Sequence, residues 1–171
     1  MIIWAIGLAG SGKTSIGQEL ASIMRSKDKA TVFLDGDHFR NIMGNDIGHS
    51  LDDRSQNGWR ICRMCEFLDD QDITVVCSIL SLFPKQRAWC RTTFSDYFEV
   101  FIDVSMKELE SRDQKGLYSG AREGRIKNVA GIDLEFPYPE DADFVFDNNQ
   151  SLTDFKNAAK TIVDAIEDRC P

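Results

Sequence analysis

Five short apolar runs recur along the chain between longer polar stretches: IIWAIGL (2–8), TVFLD (31–35), ITVVCSI (73–79), FEVFIDV (98–104) and DFVFD (143–147). Continuous runs of this length suit strands buried on both faces, as in a parallel sheet covered by helices. The stretches between them predict helices from Lys13 to Met24, from near Ser50 to about Leu68, and from Pro84 to about Phe94. Ser50-x-x-Asp53 has capping-box form. Ser151-x-x-Asp154 repeats it before a last helix, where Phe155, Ala158, Ala159, Ile162, Val163 and Ile166 keep helical period. Strands alternating with helices predict an α/β doubly wound, mainly parallel sheet with helices on both faces. No repeat, low-complexity tract or linker divides the chain, so one domain over 1–171 is expected. A ligand of such a sheet lies beyond the carboxyl ends of its strands, in the loops after the first three.

Composition narrows the partners. The 171 residues are 42% hydrophobic and 28% charged, an ordinary globular balance. The formal net charge is −8, with no basic tail or stripe, which argues against nucleic acid, whose binding is mainly phosphate neutralisation. A small anionic ligand remains compatible, because a few local arginines override the global field. No stretch reaches the ~18 apolar residues of a membrane span, and the N-terminus runs straight into a strand without signal-peptide form. Five cysteines, Cys62, Cys65, Cys77, Cys90 and Cys170, lie mostly in apolar segments and read as reduced, buried thiols of a cytoplasmic protein. Cys62-x-x-Cys65 is half a zinc motif, but it falls in a helical pattern with only His38 and His49 elsewhere, so no zinc site is expected.

GLAGSGKT, residues 7–14, fits G-x-x-x-x-G-K-[ST] directly after the first strand and at the start of a helix, the setting this phosphate loop requires. Gly7, Gly10 and Gly12 let backbone amides turn toward phosphate oxygens, and the helix N-terminus adds partial positive charge. Lys13 reaches the β/γ-phosphates, Thr14 offers a hydroxyl to Mg²⁺, and Ser11 and Ser15 complete the expected ATP-binding set. The expected fold is therefore of the P-loop NTPase type. There is no N-K-x-D base-reading motif of a GTPase and no Walker B strand ending in adjacent acids, so a kinase for a small acceptor is favoured.

The second strand ends in LDGDHFR (34–40), where two carboxylates flank a glycine and Arg40 follows Asp37 by three residues. A phosphoryl acceptor needs a carboxylate to orient its hydroxyl and take its proton. An anionic acceptor also needs a guanidinium to fix it. This segment supplies both in one short loop, although Asp35 or Asp37 would equally well cap a following helix. Farther on, Arg54 and Asn57 share a helix face, which would otherwise be an ordinary solvated surface.

GLAGSGKT, DGDHFR, IGHSLDDRSQN, RDQKGLYSGAR (112–122) and IKNVAGID (126–133) together resemble the adenylylsulfate (APS) kinases, in order and spacing, across roughly residues 4–167. The resemblance implies transfer of the ATP γ-phosphoryl to the ribose 3′-hydroxyl of a nucleoside 5′-phospho-anhydride. It implies that Asp37 meets the acceptor hydroxyl, that Arg40, Arg54 and Asn57 hold the acceptor, and that Lys115 to Arg122 form a lid, with Lys127 near the acceptor. Ser81 matches the serine for which the family describes a phosphoserine intermediate. In-line transfer between two bound nucleotides needs no covalent relay, and a loop hydroxyl also serves as a turn residue. The family commonly forms homodimers. Independently of it, the cations Arg112, Lys115, Arg122, Arg125 and Lys127 stand where phosphoryl transfer would call for positive charge.

The departures from the family pattern cluster on the acceptor side. L-G-F-S becomes Ile47-Gly48-His49-Ser50, and K-G-F-T-G-I-D becomes Lys127-Asn128-Val129-Ala130-Gly131-Ile132-Asp133. S-F-I-S-P becomes Ser78-Ile79-Leu80-Ser81-Leu82, and a usual arginine is Trp59. By the resemblance, the two missing phenylalanines sandwich the adenine of APS, and their places are taken by His49 and Val129. Stacking on a base is worth ~1–3 kcal/mol, so losing both rings weakens adenine recognition. The intact ATP side with an altered base pocket places a branch that phosphorylates cytidine diphosphoramidate ahead of APS kinase proper. A silent P-loop binding module is disfavoured by the intact Lys13, Thr14, Asp37, Arg40 and Arg54, and a polynucleotide kinase by the acidic charge.

Overall fold

The five apolar runs form five parallel strands: β1 (Ile2–Ile6), β2 (Thr31–Asp35), β3 (Thr74–Ile79), β4 (Tyr97–Asp103) and β5 (Phe144–Asp147), in the order β2-β3-β1-β4-β5. The structure, a computed structural model, describes residues 1–113, 115–149 and 152–169, with backbone alone for 152–156. β1 sits at the centre, in register with both neighbours (Ile2 opposite Val75 and Tyr97), and all five of its side chains are buried. From β1 the chain steps to β2 at one edge, returns to β3, and then crosses to β4 on the far side of β1. This reversal opens a crevice at the carboxyl end of β1, where the phosphate loop begins. Burial on both faces holds for β1, β3 and β4 but not at the edges: β2 is half-buried throughout, and β5 buries only Phe146. An edge strand has a neighbour on one side only, so helices cover it incompletely.

The predicted helices form as α1 (Lys13–Ser26), α3 (Leu51–Asp69), α4 (Pro84–Thr93) and α7 (Leu152–Arg169). α1 packs with α7, and α3 packs with α4. The Ser50 capping box is present: Ser50 Oγ accepts from the Asp53 amide, and Asp53 Oδ2 accepts from the Ser50 amide, both at 3.2 Å. Ser151 of its counterpart, and Cys170, lie outside the described residues, and of Asp154 and Phe155 the backbone alone is described. The remaining apolar stripe of α7, Ala158, Ala159, Ile162, Val163 and Ile166, is buried. Cys62, Cys65, Cys77 and Cys90 are buried free thiols, and Trp59 packs edge-on against Trp89 at 5.6 Å between α3 and α4.

Three further helices are present: α2 (Gly36–Ile42), which the sequence offered only as the capping alternative at Asp35 or Asp37, and α5 (Met106–Ser111) and α6 (Leu117–Arg122), which lie outside the predicted helices. The DGDHFR segment is therefore not a loop. Asp35 ends β2 and caps α2, its Oδ1 accepting from the amides of Asp37 at 3.0 Å and His38 at 3.1 Å. Among the described residues, no helix is long and apolar enough to cross a membrane.

Candidate active site

The phosphate loop wraps the end of β1 and feeds α1. A side chain at Gly7 would place its Cβ 2.5 Å from Ser11 Oγ and 2.8 Å from the Ile102 carbonyl, and Gly12 has φ +96°, so both positions require glycine. The loop is tied down from three sides. Asn148 Nδ2 donates to the Ser11 carbonyl at 2.8 Å, Tyr118 Oη to the Ala9 carbonyl at 2.7 Å, and Ser78 Oγ to the Lys13 carbonyl at 2.8 Å. Ser11 is fully buried, and its Oγ has no partner among the described residues. Lys13 Nζ folds back onto the Leu8 carbonyl at 2.7 Å. Burial lowers its pKa to about 8, against the opposing pull of Asp37 and then Asp35.

Thr14 Oγ1 donates to Asp35 Oδ2 at 2.7 Å. Asp35 thus serves the α2 cap with one oxygen and the phosphate loop with the other. Asp37 is exposed, and its carboxylate takes no hydrogen bond or ion pair among the described residues. The two acids that the sequence left interchangeable have separate positions. Ser15 is exposed beside Thr14 at the start of α1.

Beyond Asp37 lies an open cleft lined by Asp37, Arg40, Arg54, Asn57, Ser81 and Gln86 among others. Five of these six are the residues expected to hold the acceptor, drawn from α2, α3 and the β3–α4 connection. Arg40 is buried at 8% exposure, and its Nη1 donates to the Ile47 carbonyl at 3.3 Å and the Gly48 carbonyl at 2.7 Å. Its Nε and Asn57 Oδ1 are buried without partners among the described residues. Arg54 joins the two altered segments, with Nε donating to the His49 carbonyl and Nη2 to the Asn128 carbonyl, both at 3.0 Å.

Other expected residues lie apart from the cleft. His49 is exposed, and its pKa is lowered by partial burial and then by Arg40 and Arg54. Val129 is buried at 3% exposure, with its amide bonded to Asp133 Oδ1. Neither lines the cleft, although both flank Arg54 through the loops it joins. Ser81 has φ 55°, and its Oγ accepts the Trp4 indole N–H at 3.1 Å beneath β1.

The basic segment is largely neutralised from within. Arg112 pairs with Glu108 at 2.9 Å, Arg122 with Glu110 at 2.8 Å, and Arg125 with Glu123. Lys115 and Lys127 are exposed and carry no ion pair among the described residues.

Four participants escaped the sequence reading: Asp35 as the partner of Thr14, Tyr118 and Asn148 as anchors of the phosphate loop, and Gln86 in the cleft. Asn148 alone had a usable signal, as a polar residue just past the carboxyl end of a strand.

The comparisons with known proteins agree with this geometry. Residues 1–147 match the family described as adenylylsulphate kinase. The chain is 40% identical over 148 residues to the cytidine diphosphoramidate kinase of Campylobacter jejuni, covering 86% of each chain. It is 36% identical over 155 residues to the adenylyl-sulfate kinase of Marinobacter nauticus, covering 90% of this chain and 78% of that one. Among solved structures, the APS kinase CysC of Mycobacterium tuberculosis, in complex with AMPPNP and APS, superposes with a TM-score of 0.88 at 32% identity, covering 97% and 96% of the two chains. By sequence and by fold, the chain belongs to the adenylylsulphate kinase family.

Proposed function

We propose that the protein, acting as one kinase domain, transfers the γ-phosphoryl of ATP to the ribose 3′-hydroxyl of a nucleoside 5′-phospho-anhydride, with cytidine diphosphoramidate as the acceptor. The observation that carries this reading is the unpaired carboxylate of Asp37, held between the phosphate loop and a cleft containing two guanidiniums. Asp37 would orient the 3′-hydroxyl and take its proton, while Lys13 neutralises charge on the transferred group. Arg40, Arg54 and Asn57 would hold the anhydride end, and Lys115, Arg122 and Lys127 would close over the phosphates. Ser81 lines the pocket wall; with its Oγ engaged by Trp4, a phosphoserine relay is not part of this mechanism.

The residues fit a divalent cation. Thr14 donates a hydrogen bond to Asp35 and keeps its oxygen lone pairs, and this hydroxyl–carboxylate pair is a hard oxygen set suited to Mg²⁺. Mg²⁺ held there would neutralise charge on the β/γ-phosphates. The cytoplasm, which supplies ATP and keeps thiols reduced, is the proposed setting, and a homodimer the proposed assembly by the family's habit.

The cytidine assignment draws support from the 40% identity to the Campylobacter jejuni kinase and from the replacement of both stacking rings by His49 and Val129. APS is the second reading, supported by the fit to a structure solved with APS. ADP release from Mg-ATP with each acceptor, followed by locating the new phosphate, tests the reaction. The phosphate is expected on the 3′-oxygen. No turnover of any nucleotide anhydride would refute the kinase assignment.

Lys13 supplies a pH signature. In the free enzyme the ammonium is lost as pH rises through about 8, whereas bound phosphates stabilise it. ATP binding at that pH should therefore take up a fraction of a proton, and affinity should fall between about pH 7 and 9. Calorimetry in buffers of different ionisation enthalpy reads this directly; a buffer-independent enthalpy at that pH would show that Lys13 is already charged.

A further inference from the structure

The floor of the acceptor cleft holds a group that the proposed reaction has not used. Gln86, in the first turn of α4, is 2% exposed and lines the cleft. Its Nε2 donates to the Ser55 carbonyl at 2.9 Å, and that carbonyl only accepts, so the orientation of the amide is fixed. The other end, Oε1, accepts no hydrogen bond among the described residues. It lies 2.2 Å from the position a Cβ on Gly58 would take, so the gap left by that glycine is what admits it. Next to Gly58, Asn57 Oδ1 is buried and has no partner among the described residues.

The cleft-lining residues thus carry polar atoms of two kinds without a partner among the described residues: the buried Arg40 Nε and Asn57 Oδ1, and Gln86 Oε1. Arg40 Nε is a donor and asks for an anionic oxygen, whereas Gln86 Oε1 and Asn57 Oδ1 are acceptors and ask for N–H or O–H. Arg40 and Arg54 mark this cleft as the place of the anhydride end, while His49 and Val129 lie outside it. A terminal sulfate brings oxygens alone and would set them against the two carbonyl oxygens. A terminal phosphoramidate has the same shape and charge but carries an amino group that satisfies them.

We propose that Gln86, seated in the gap at Gly58 and assisted by Asn57, selects anhydrides whose terminal group bears N–H donors over those ending in sulfate. This selection rests on the acceptor reading above and separates the choice of terminal group from the choice of base.

The test holds the base constant. Adenosine 5′-diphosphoramidate and APS share adenosine and terminal charge and differ in the amino group. The wild-type enzyme is expected to favour the amidate by at least about tenfold in kcat/KM. Gln86→Met should bring that ratio down about tenfold, toward one. Gly58→Ala, which displaces the amide without removing it, should do the same. A purely structural tie between α4 and Ser55 would lower both acceptors alike and leave the ratio unchanged in the two variants. That outcome, or a wild-type ratio of one or less, overturns the proposal. The base is read separately, with cytidine against adenosine diphosphoramidate. Adenine preferred there would sink the cytidine assignment while leaving this selection standing.

Discussion

Asp37→Asn is expected to lower kcat by about 10³-fold, within the span that positioned general bases contribute, while ATP affinity stays within about twofold. The structure explains why the effect should be so one-sided. Asp35 bears the structural duties at this corner, capping α2 and accepting from Thr14, so the fold does not depend on the Asp37 carboxylate. Asp37 contributes only its backbone amide to the cap, and asparagine keeps that amide. In the proposed reaction the substitution removes a negative charge and the proton acceptor for the 3′-hydroxyl, and little else. One electrostatic consequence is a check in itself. Asp37 is the largest influence holding the Lys13 pKa up against burial, so the variant should lose ATP affinity at a lower pH than wild type. Near-wild-type turnover of Asp37→Asn would remove Asp37 from the reaction.

Arg40→Lys should lower kcat/KM for the acceptor by about 10²- to 10³-fold, roughly 3–4 kcal/mol, with the KM for ATP little changed. Arg40 does two things from one buried position. Nη1 holds the Ile47 and Gly48 carbonyls and so shapes the loop carrying His49, while Nε is buried beside the cleft without a partner among the described residues. A lysine ammonium is a single point charge and cannot serve the loop and the ligand from the geometry of a planar fork. Part of the loss is therefore expected to appear as loosening of residues 47–50, visible as faster amide exchange there. A loss below about fivefold would show that Arg40 is a structural clasp without contact to the acceptor.

The sheet and the phosphate loop were legible in the sequence because their signals are local and redundant. Continuous apolar runs announced five strands, and the eight residues from Gly7 to Thr14 fixed the nucleotide end together with its structural setting. The short helices were not legible. α2, α5 and α6 span 7, 6 and 6 residues, too few to display a helical period. The division of labour between Asp35 and Asp37 was hidden for another reason: both flank Gly36, and either satisfies the capping rule. Only the reach of Thr14 from α1 decides between them. The neutralising acids of the basic segment, Glu108, Glu110 and Glu123, were present in the sequence but were not weighed against its cations. Gln86 was illegible because its meaning depends on a missing side chain at Gly58, on a different helix. Departures from the family pattern also proved to be of different kinds: Trp59 packs between α3 and α4, whereas His49 stands in the loop held by Arg40 and Arg54.

The central claim is a retained 3′-kinase reaction on an acceptor other than APS. The most direct test is competition: equimolar cytidine diphosphoramidate and APS in one vessel, with Mg-ATP limiting, and the two 3′-phosphorylated products separated and counted. Loss of ring stacking worth ~1–3 kcal/mol should leave the cytidine product in excess by about tenfold or more. Predominance of 3′-phosphoadenylyl sulfate would contradict the account and return the protein to APS phosphorylation.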